Sequence, residues 1–310
     1  MQTILGAGGA IGIELAKALP AYTNKIRLVS RNPKKVNKTD ELFRADTTKY
    51  EEVVKAVEGS EIVYLTVGLP YKTKLWQNTW PVIMKNVIEA CSVNNAKLVF
   101  FDNIYLYAPE KLNPITEEHP INPKSKKGKV RAAIVQMLWD AVKKEKIKAV
   151  IARSADFYGP SIKGTSMLTE IVFKPLSEGK RSSWLGGTKY KHSYTYTVDA
   201  GRAVALLGNT SDAFGQTWHL PTAPDPFTGK EWIEAIAKML GTTPKYLVLN
   251  KFFVRVIGLF VPIMKEMVEM MYQYNQHYVF NSDKFEKRFD FKPTSYNDGI
   301  EEIVMTDYQK

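Results

Sequence analysis

Over residues 1–154 the chain alternates short apolar runs with longer segments of helical spacing, and few folds accept that order. "QTIL", "KIRLVS", "EIVYLTVG", "KLVFFD" and "KAVIARS" read as strands. Between them, "AIGIELAKAL", "KYEEVVKAVEG", "WPVIMKNVIEACSVNN" and "RAAIVQMLWDAVKKE" carry helical patterns. In the first of these, Ile11, Leu15, Ala18 and Leu19 fall on one face. Apolar strands separated by helices call for a parallel sheet buried on both faces, since each crossover lays a helix across the sheet. The expected fold class is therefore α/β.

After residue 154 the rhythm changes to Gly, Pro and Ser clusters ("YGPSIKGTS", "EGKRSSWLGGT", "LPTAPDPFTG") with helical segments at wider intervals. Residues 1–153 are expected to form the sheet domain. Residues 154–310 are expected to form a smaller C-terminal lobe, partly interleaved with late strands of the first. The single cysteine, Cys91, excludes a disulfide framework and a thiolate metal cluster. With no charged, apolar leader after Met1, this points to a reducing, cytoplasmic setting. The formal charge of +11 raises nucleic-acid binding. The lysines lie in scattered pairs without interleaved aromatics, so a lysine-rich surface is expected and no nucleic-acid partner. "FFVRVIGLFVPIM", 252–264, is too short to span a bilayer and carries Arg255; it reads as a buried helix or part of a pocket, with no membrane partner. The methionines that follow, Met264, Met267, Met270 and Met271, are expected in the core.

"LGAGGAIG" joins the first strand to the first helix. Gly6, Gly9 and Gly12 fit the spacing G-x-x-G-x-x-G. Glycines let the backbone approach a pyrophosphate, while the N–H groups and dipole of the helix start favour its charge. With Ala10 and Ile11, these glycines are the expected dinucleotide cradle. A ribose 2′-hydroxyl is usually met by an acid about twenty residues past such glycines. Here the second strand ends on Ser30, Arg31 and Asn32. Arg31 and Ser30 suit a 2′-phosphate, so NADP(H) is expected in preference to NAD(H).

Taken with further segments, the chain resembles the short-chain dehydrogenase/reductase superfamily, in its extended branch of NAD(P)-dependent epimerases and dehydratases. The segments are "GAGGAIG", "RAD", "YLTVG", "ARSADFYGP", "HSYTYTVDAGRAVALL" and "TGKEWIEAIAKMLG". The resemblance implies a Rossmann-like doubly wound sheet with a C-terminal substrate lobe, a small-molecule substrate and hydride transfer at a nicotinamide. It places Asp46 near the adenine and Thr66, Val67 and Gly68 along the cofactor. Members are often dimers, which leaves a homodimer open. They use a Ser or Thr after the fifth strand and a Tyr-x-x-x-Lys pair on the next helix, the tyrosine moving the proton and the lysine lowering its pKa.

This chain departs at all three places. Asn103 stands at the Ser/Thr position; it can hydrogen-bond a carbonyl oxygen but does not readily transfer a proton. In "KGKVR", Lys127 stands at the tyrosine and Arg131 at the lysine. Arg131 can donate to ribose hydroxyls but will not deprotonate. Lys127 can act as acid or base, or clamp an anionic group. Two cations four apart at a helix start repel each other and oppose the helix dipole, so an anionic partner is expected between them. Tyr105, two residues past Asn103, is the first candidate for a replacement acid. Tyr107 is expected in the core and His119 on the surface. Tyr158 and His192 are expected to contact substrate. No metal-ligand spacing is present. Three functions follow: an NADP-dependent oxidoreductase with a non-standard proton donor, a nucleotide-sugar epimerase or dehydratase, and a non-catalytic NADP(H) sensor.

Overall fold

The structure, a computed structural model, describes residues 1–162 and 164–309. In chain order the first elements are β1 (Gln2–Leu5), α1 (Ala10–Ala18), β2 (Ile26–Ser30), β3 (Glu41–Arg44), α2 (Tyr50–Val57), β4 (Ile62–Leu65) and α3 (Thr73–Val93). There follow β5 (Lys97–Asn103), α4 (Lys126–Lys143), β6 (Ala149–Ser154), β7 (Asp156–Tyr158), α5 (Lys174–Ser177), β8 (Ser182–Leu185) and β9 (Tyr194–Tyr196). The last are α6 (Thr197–Gly208), β10 (Thr217–His219), α7 (Gly229–Met239), β11 (Tyr246–Leu249), α8 (Lys251–Ile257), α9 (Pro262–Met267), α10 (Asp283–Phe289) and α11 (Tyr296–Ile303). They form two compact units that exchange the chain several times. The first holds residues 1–106, 126–154 and 198–220; the second holds 107–125, 155–197 and 221–310.

The first unit is the expected Rossmann-like doubly wound sheet. Its seven strands run in the order β10-β6-β5-β4-β1-β2-β3, with every pairing parallel. The order reverses between β1 and β4, and a doubly wound sheet binds ligands at the carboxyl ends beside such a reversal. β1, β4 and β6 are buried throughout, which explains their unbroken apolar runs. α2 packs on α3 and α3 on α4. Gly201 of α6 lies so close to α1 that a Cβ there would stand 2.5 Å from the Glu14 carbonyl carbon. Two elements differ from the sequence expectation. β3 was not anticipated, because Glu41, Leu42 and Arg44 are exposed on an edge strand with no apolar run to mark it. α3 begins at Thr73, well before "WPV", and carries Pro81 inside it. The carbonyl that Pro81 cannot bond belongs to exposed Gln77 and can face water, while Trp76 and Trp80 bury the opposite side.

The second unit contains two parallel strand pairs, β11–β8 and β7–β9. Its core is aromatic: the Tyr158 ring lies 5.3–6.4 Å from those of Tyr194, Tyr196, Trp232 and Tyr296. Met267, Met270 and Met271 are buried, as is Tyr107. His119, expected on the surface, is half-buried, with Nε2 3.0 Å from the Ala108 carbonyl and its ring edge-on to Tyr107. The larger correction concerns 252–264, read from sequence as a buried helix or pocket wall. It folds as α8 and α9, and only Val254 and Gly258 of that stretch are buried. An apolar run states that burial is favourable, not that this chain supplies the cover. Among the described residues, no helix is long and apolar enough to cross a membrane.

Candidate functional site

The turn from β1 into α1 places the glycines where backbone meets backbone. Gly6 has φ +99°, and a Cβ on it would stand 2.6 Å from the Val67 nitrogen just past β4. A Cβ on Gly12 would stand 2.6 Å from the Gly6 carbonyl oxygen. Both positions therefore require glycine, and the first draws Thr66–Gly68 against the loop. Thr66 secures the crossing, its hydroxyl donating to the Leu5 carbonyl at 3.2 Å and its N–H to the same oxygen at 2.8 Å. Gly9 caps α1 without a side chain, and the first turn holds no acid. The N–H groups of Ala10, Ile11 and Gly12 have no partner within the helix and add to the positive end of its dipole. These features fit a dinucleotide pyrophosphate.

At the end of β2, Ser30 is half-buried and Arg31 exposed. The Arg31 guanidinium makes no hydrogen bond or ion pair among the described residues. Asp46 lies past the end of β3, where its Oδ1 accepts from the Thr48 N–H at 2.9 Å and hydroxyl at 2.8 Å. Those two bonds, helped by Arg31 and Lys49, hold its carboxyl below the usual carboxylate range. Asp46 Oδ2 has no hydrogen-bond partner among the described residues.

The positions expected to carry chemistry lie at the end of β5 and on α4. Asn103 Oδ1 accepts from the Tyr105 N–H at 3.1 Å. That bond fixes the amide orientation, so Nδ2 is a donor without a partner among the described residues. Tyr105 is half-buried, its ring stacked on Trp76 at 6.2 Å and edge-on to Tyr71 at 6.4 Å. Lys127 is 0% exposed; its Nζ donates to Thr73 Oγ1 at 3.0 Å and lies 4.4 Å over the Tyr71 ring. Arg131 is buried over Trp80 and Phe100, and both Nε (2.8 Å) and Nη2 (2.5 Å) donate to Asp102 Oδ1. Asp102 Oδ2 accepts in turn from Arg153 Nε at 3.1 Å. The anion expected between Lys127 and Arg131 is thus, for Arg131, a side chain of the chain itself. Arg131 Nη1 retains no partner among the described residues.

Sequence reasoning missed Asp102, Arg153, Tyr71, Trp76 and Trp80. An acid at the penultimate position of an apolar strand was the available signal, since a buried carboxylate demands a cation. The aromatics at and just before α3 gave none, because the packing of Tyr71 on Lys127, Trp80 on Arg131 and Trp76 on Tyr105 depends on contacts between elements.

In the second unit Tyr158 is fully buried among aromatic rings. His192 is 2% exposed, stacked between Tyr274 at 4.6 Å and Tyr278 at 4.4 Å. Its Nε2 lies 3.0 Å from Asp156 Oδ2, and the Tyr274 hydroxyl donates to the same oxygen at 3.3 Å. Asp156, which the sequence reading passed over, is the more exposed partner, at 18% of its side chain. Among the described residues no group of His, Cys, Asp or Glu could hold a metal.

Comparison with known proteins agrees with this layout. UDP-glucuronic acid 4-epimerase from Bacillus cereus, solved with NAD, superimposes with a TM-score of 0.81 at 18% identity, over 99% of this chain and 98% of that one. DesIV, a dTDP-glucose 4,6-dehydratase from Streptomyces venezuelae, gives 0.81 at 14% identity over 98% and 96%. At those identities the likeness is one of fold. A curated relative in Sinorhizobium fredii, the uncharacterized protein y4nG, is 22% identical over 211 residues, or 66% of this chain. The chain spans about half of that relative, 52% of its length. The profile of the NAD dependent epimerase/dehydratase family matches residues 3–219, from β1 through the glycine turn to the end of β10, and the chain belongs to that family.

Proposed function

We propose that this chain is an NADP(H)-dependent oxidoreductase that moves hydride to or from a small carbonyl or hydroxyl substrate, with Tyr105 as its proton donor. The observation that carries the reading is the end of β5: Asn103 is held through Oδ1, which leaves Nδ2 as a donor without a partner among the described residues, two residues before the half-buried Tyr105. Asn103 would orient the substrate oxygen and Tyr105 would give or take its proton. The bound nicotinamide supplies the hydride. Gly6, Gly9 and Gly12, with the N–H groups of Ala10 and Ile11, would hold the pyrophosphate, and Thr66, Val67 and Gly68 would line the cofactor. Asp46 would take the adenine, Ser30 and Arg31 the 2′-phosphate, and Arg131 Nη1 a ribose hydroxyl. Lys127, the other proton-donor candidate, is withdrawn over Tyr71 and would act as a fixed charge behind Tyr105. In the second unit, Asp156 and His192 are the substrate contacts proposed, His192 acting through Asp156; Tyr158 would support them from the core.

A second reading has its own observation: both residues at the usual catalytic pair are committed to partners, as a non-catalytic NADP(H) sensor would allow. A carbonyl-substrate panel followed by NADPH absorbance separates the two. Turnover that falls about a hundredfold or more in Tyr105→Phe, with NADPH affinity unchanged, is the expected result. Tight NADPH binding without turnover on any carbonyl class favours the sensor. A nucleotide-sugar product without net NADPH change favours an epimerase or dehydratase. For cofactor choice, Arg31→Ala should weaken NADPH about tenfold or more and leave NADH unaltered; equal losses would sink the 2′-phosphate assignment.

A further inference from the structure

Among the described residues, nine of the seventeen exposed large apolar side chains, including the two most exposed, lie within residues 247–263. Leu247 and Val248 of β11, Phe252, Phe253 and Val256 of α8, and Leu259 and Phe260 in the following turn are all exposed. Val261 and Ile263 continue the strip into α9. Leu259 and Phe260, at 79% and 83%, are the extreme cases. The stretch is well built and not frayed. Asn250 Oδ1 caps α8 by accepting from the N–H groups of Phe252 (3.0 Å) and Phe253 (3.1 Å). Pro262 starts α9. The two helices close on Gly258, where a Cβ would stand 2.8 Å from the Lys265 nitrogen. Val254 and Met267 anchor the hairpin inward. The fold therefore holds a row of aromatic and aliphatic side chains outward on a fixed support.

Along the sequence the charge on this stretch is predominantly positive. Between Glu234 and Glu266 the sequence contains Lys238, Lys245, Lys251, Arg255 and Lys265 and no carboxylate. Lys245, Lys251, Arg255 and Lys265 are exposed, and among the described residues none of them is in an ion pair. Exposed apolar side chains beside unpaired cations match an anionic lipid surface. The apolar tips enter the boundary between headgroups and acyl chains while the cations meet the phosphates. A second copy of the chain is a poorer occupant, since pairing two hairpins would bring together Lys251, Arg255 and Lys265 of each against a single carboxylate, Glu266, per copy.

We propose that the α8–α9 hairpin, with the adjoining face of β11, seats the protein on an anionic membrane surface as a peripheral, in-plane anchor. The proposal is independent of the cofactor and proton-donor assignments. Co-sedimentation with vesicles tests it, using phosphatidylcholine alone against equal parts of phosphatidylcholine and phosphatidylglycerol. Wild type is expected to pellet with the anionic vesicles, to remain in solution with the neutral ones, and to be released by salt. Leu259→Ser/Phe260→Ser should abolish pelleting, and its thermal unfolding should match wild type because both side chains already face solvent. Lys251→Gln and Arg255→Gln should each weaken partition about fivefold, the effect of one cation near an anionic surface. Two results would overturn the idea. One is wild type that stays in solution with both vesicle types. The other is self-association without lipid that the Leu259→Ser/Phe260→Ser variant abolishes, which would make the hairpin an interface between copies.

Discussion

Asp102 ties β5 to both α4 and β6 in the interior of the sheet domain. Its carboxylate accepts from two buried guanidiniums, Arg131 and Arg153. Removing it in Asp102→Ala takes the carboxylate from two buried cations, and Arg131 then has no acid partner among the described residues. A loss of about 3–5 kcal/mol is expected, read as a large fall in Tm. Arg131→Met should cost less, because it leaves Asp102 paired with Arg153 and puts an apolar side chain against Trp80 and Phe100. The residues of the glycine turn were legible from spacing, because only glycine tolerates the backbone approaches at Gly6 and Gly12. The state of Lys127 was not. Its identity predicted a charge near the site, while its burial under Tyr71 depends on a contact between elements that no local pattern encodes.

At the scale of elements, α7 offers a clean test of local stability. Thr228 Oγ1 accepts from the Glu231 N–H at 3.3 Å, and Glu231 Oε2 accepts from the Thr228 N–H at 2.7 Å, a reciprocal capping box. The backbone and side-chain bonds to Thr228 hold the Glu231 carboxyl below its ordinary range. A depressed carboxyl stabilises the fold at neutral pH and ceases to do so as pH falls through that range, when the folded state must also take up the proton. Thr228→Ala should therefore cost about 1 kcal/mol near neutrality and less in acid, measured by urea unfolding across pH. Most elements of the first unit could be read from periodicity because buried parallel strands leave unbroken apolar runs. β3 and α8–α9 could not, for opposite reasons. β3 pairs at an edge with little to bury, and α8–α9 displays what composition says should be hidden.

For the whole molecule, ligand linkage provides the broadest check. A dinucleotide bound only by the folded chain raises stability by about 2.7 kcal/mol when present at one hundred times its Kd. NADPH is expected to raise Tm in a concentration-dependent way, and NADH to need higher concentrations for the same shift. A shift equal for both would assign no role to Arg31. The hold of Asp102 on two arginines has a further consequence for how such a chain can change. Arg131 joins α4 to β5, while Arg153 joins β6 to the same carboxylate. Installing the Tyr-x-x-x-Lys pair by two substitutions would strip a bidentate partner from Asp102 and put a phenol where Lys127 fits. Positions 102, 131 and 153 therefore constrain one another, since a substitution at any one of them alone leaves a buried charge with fewer partners.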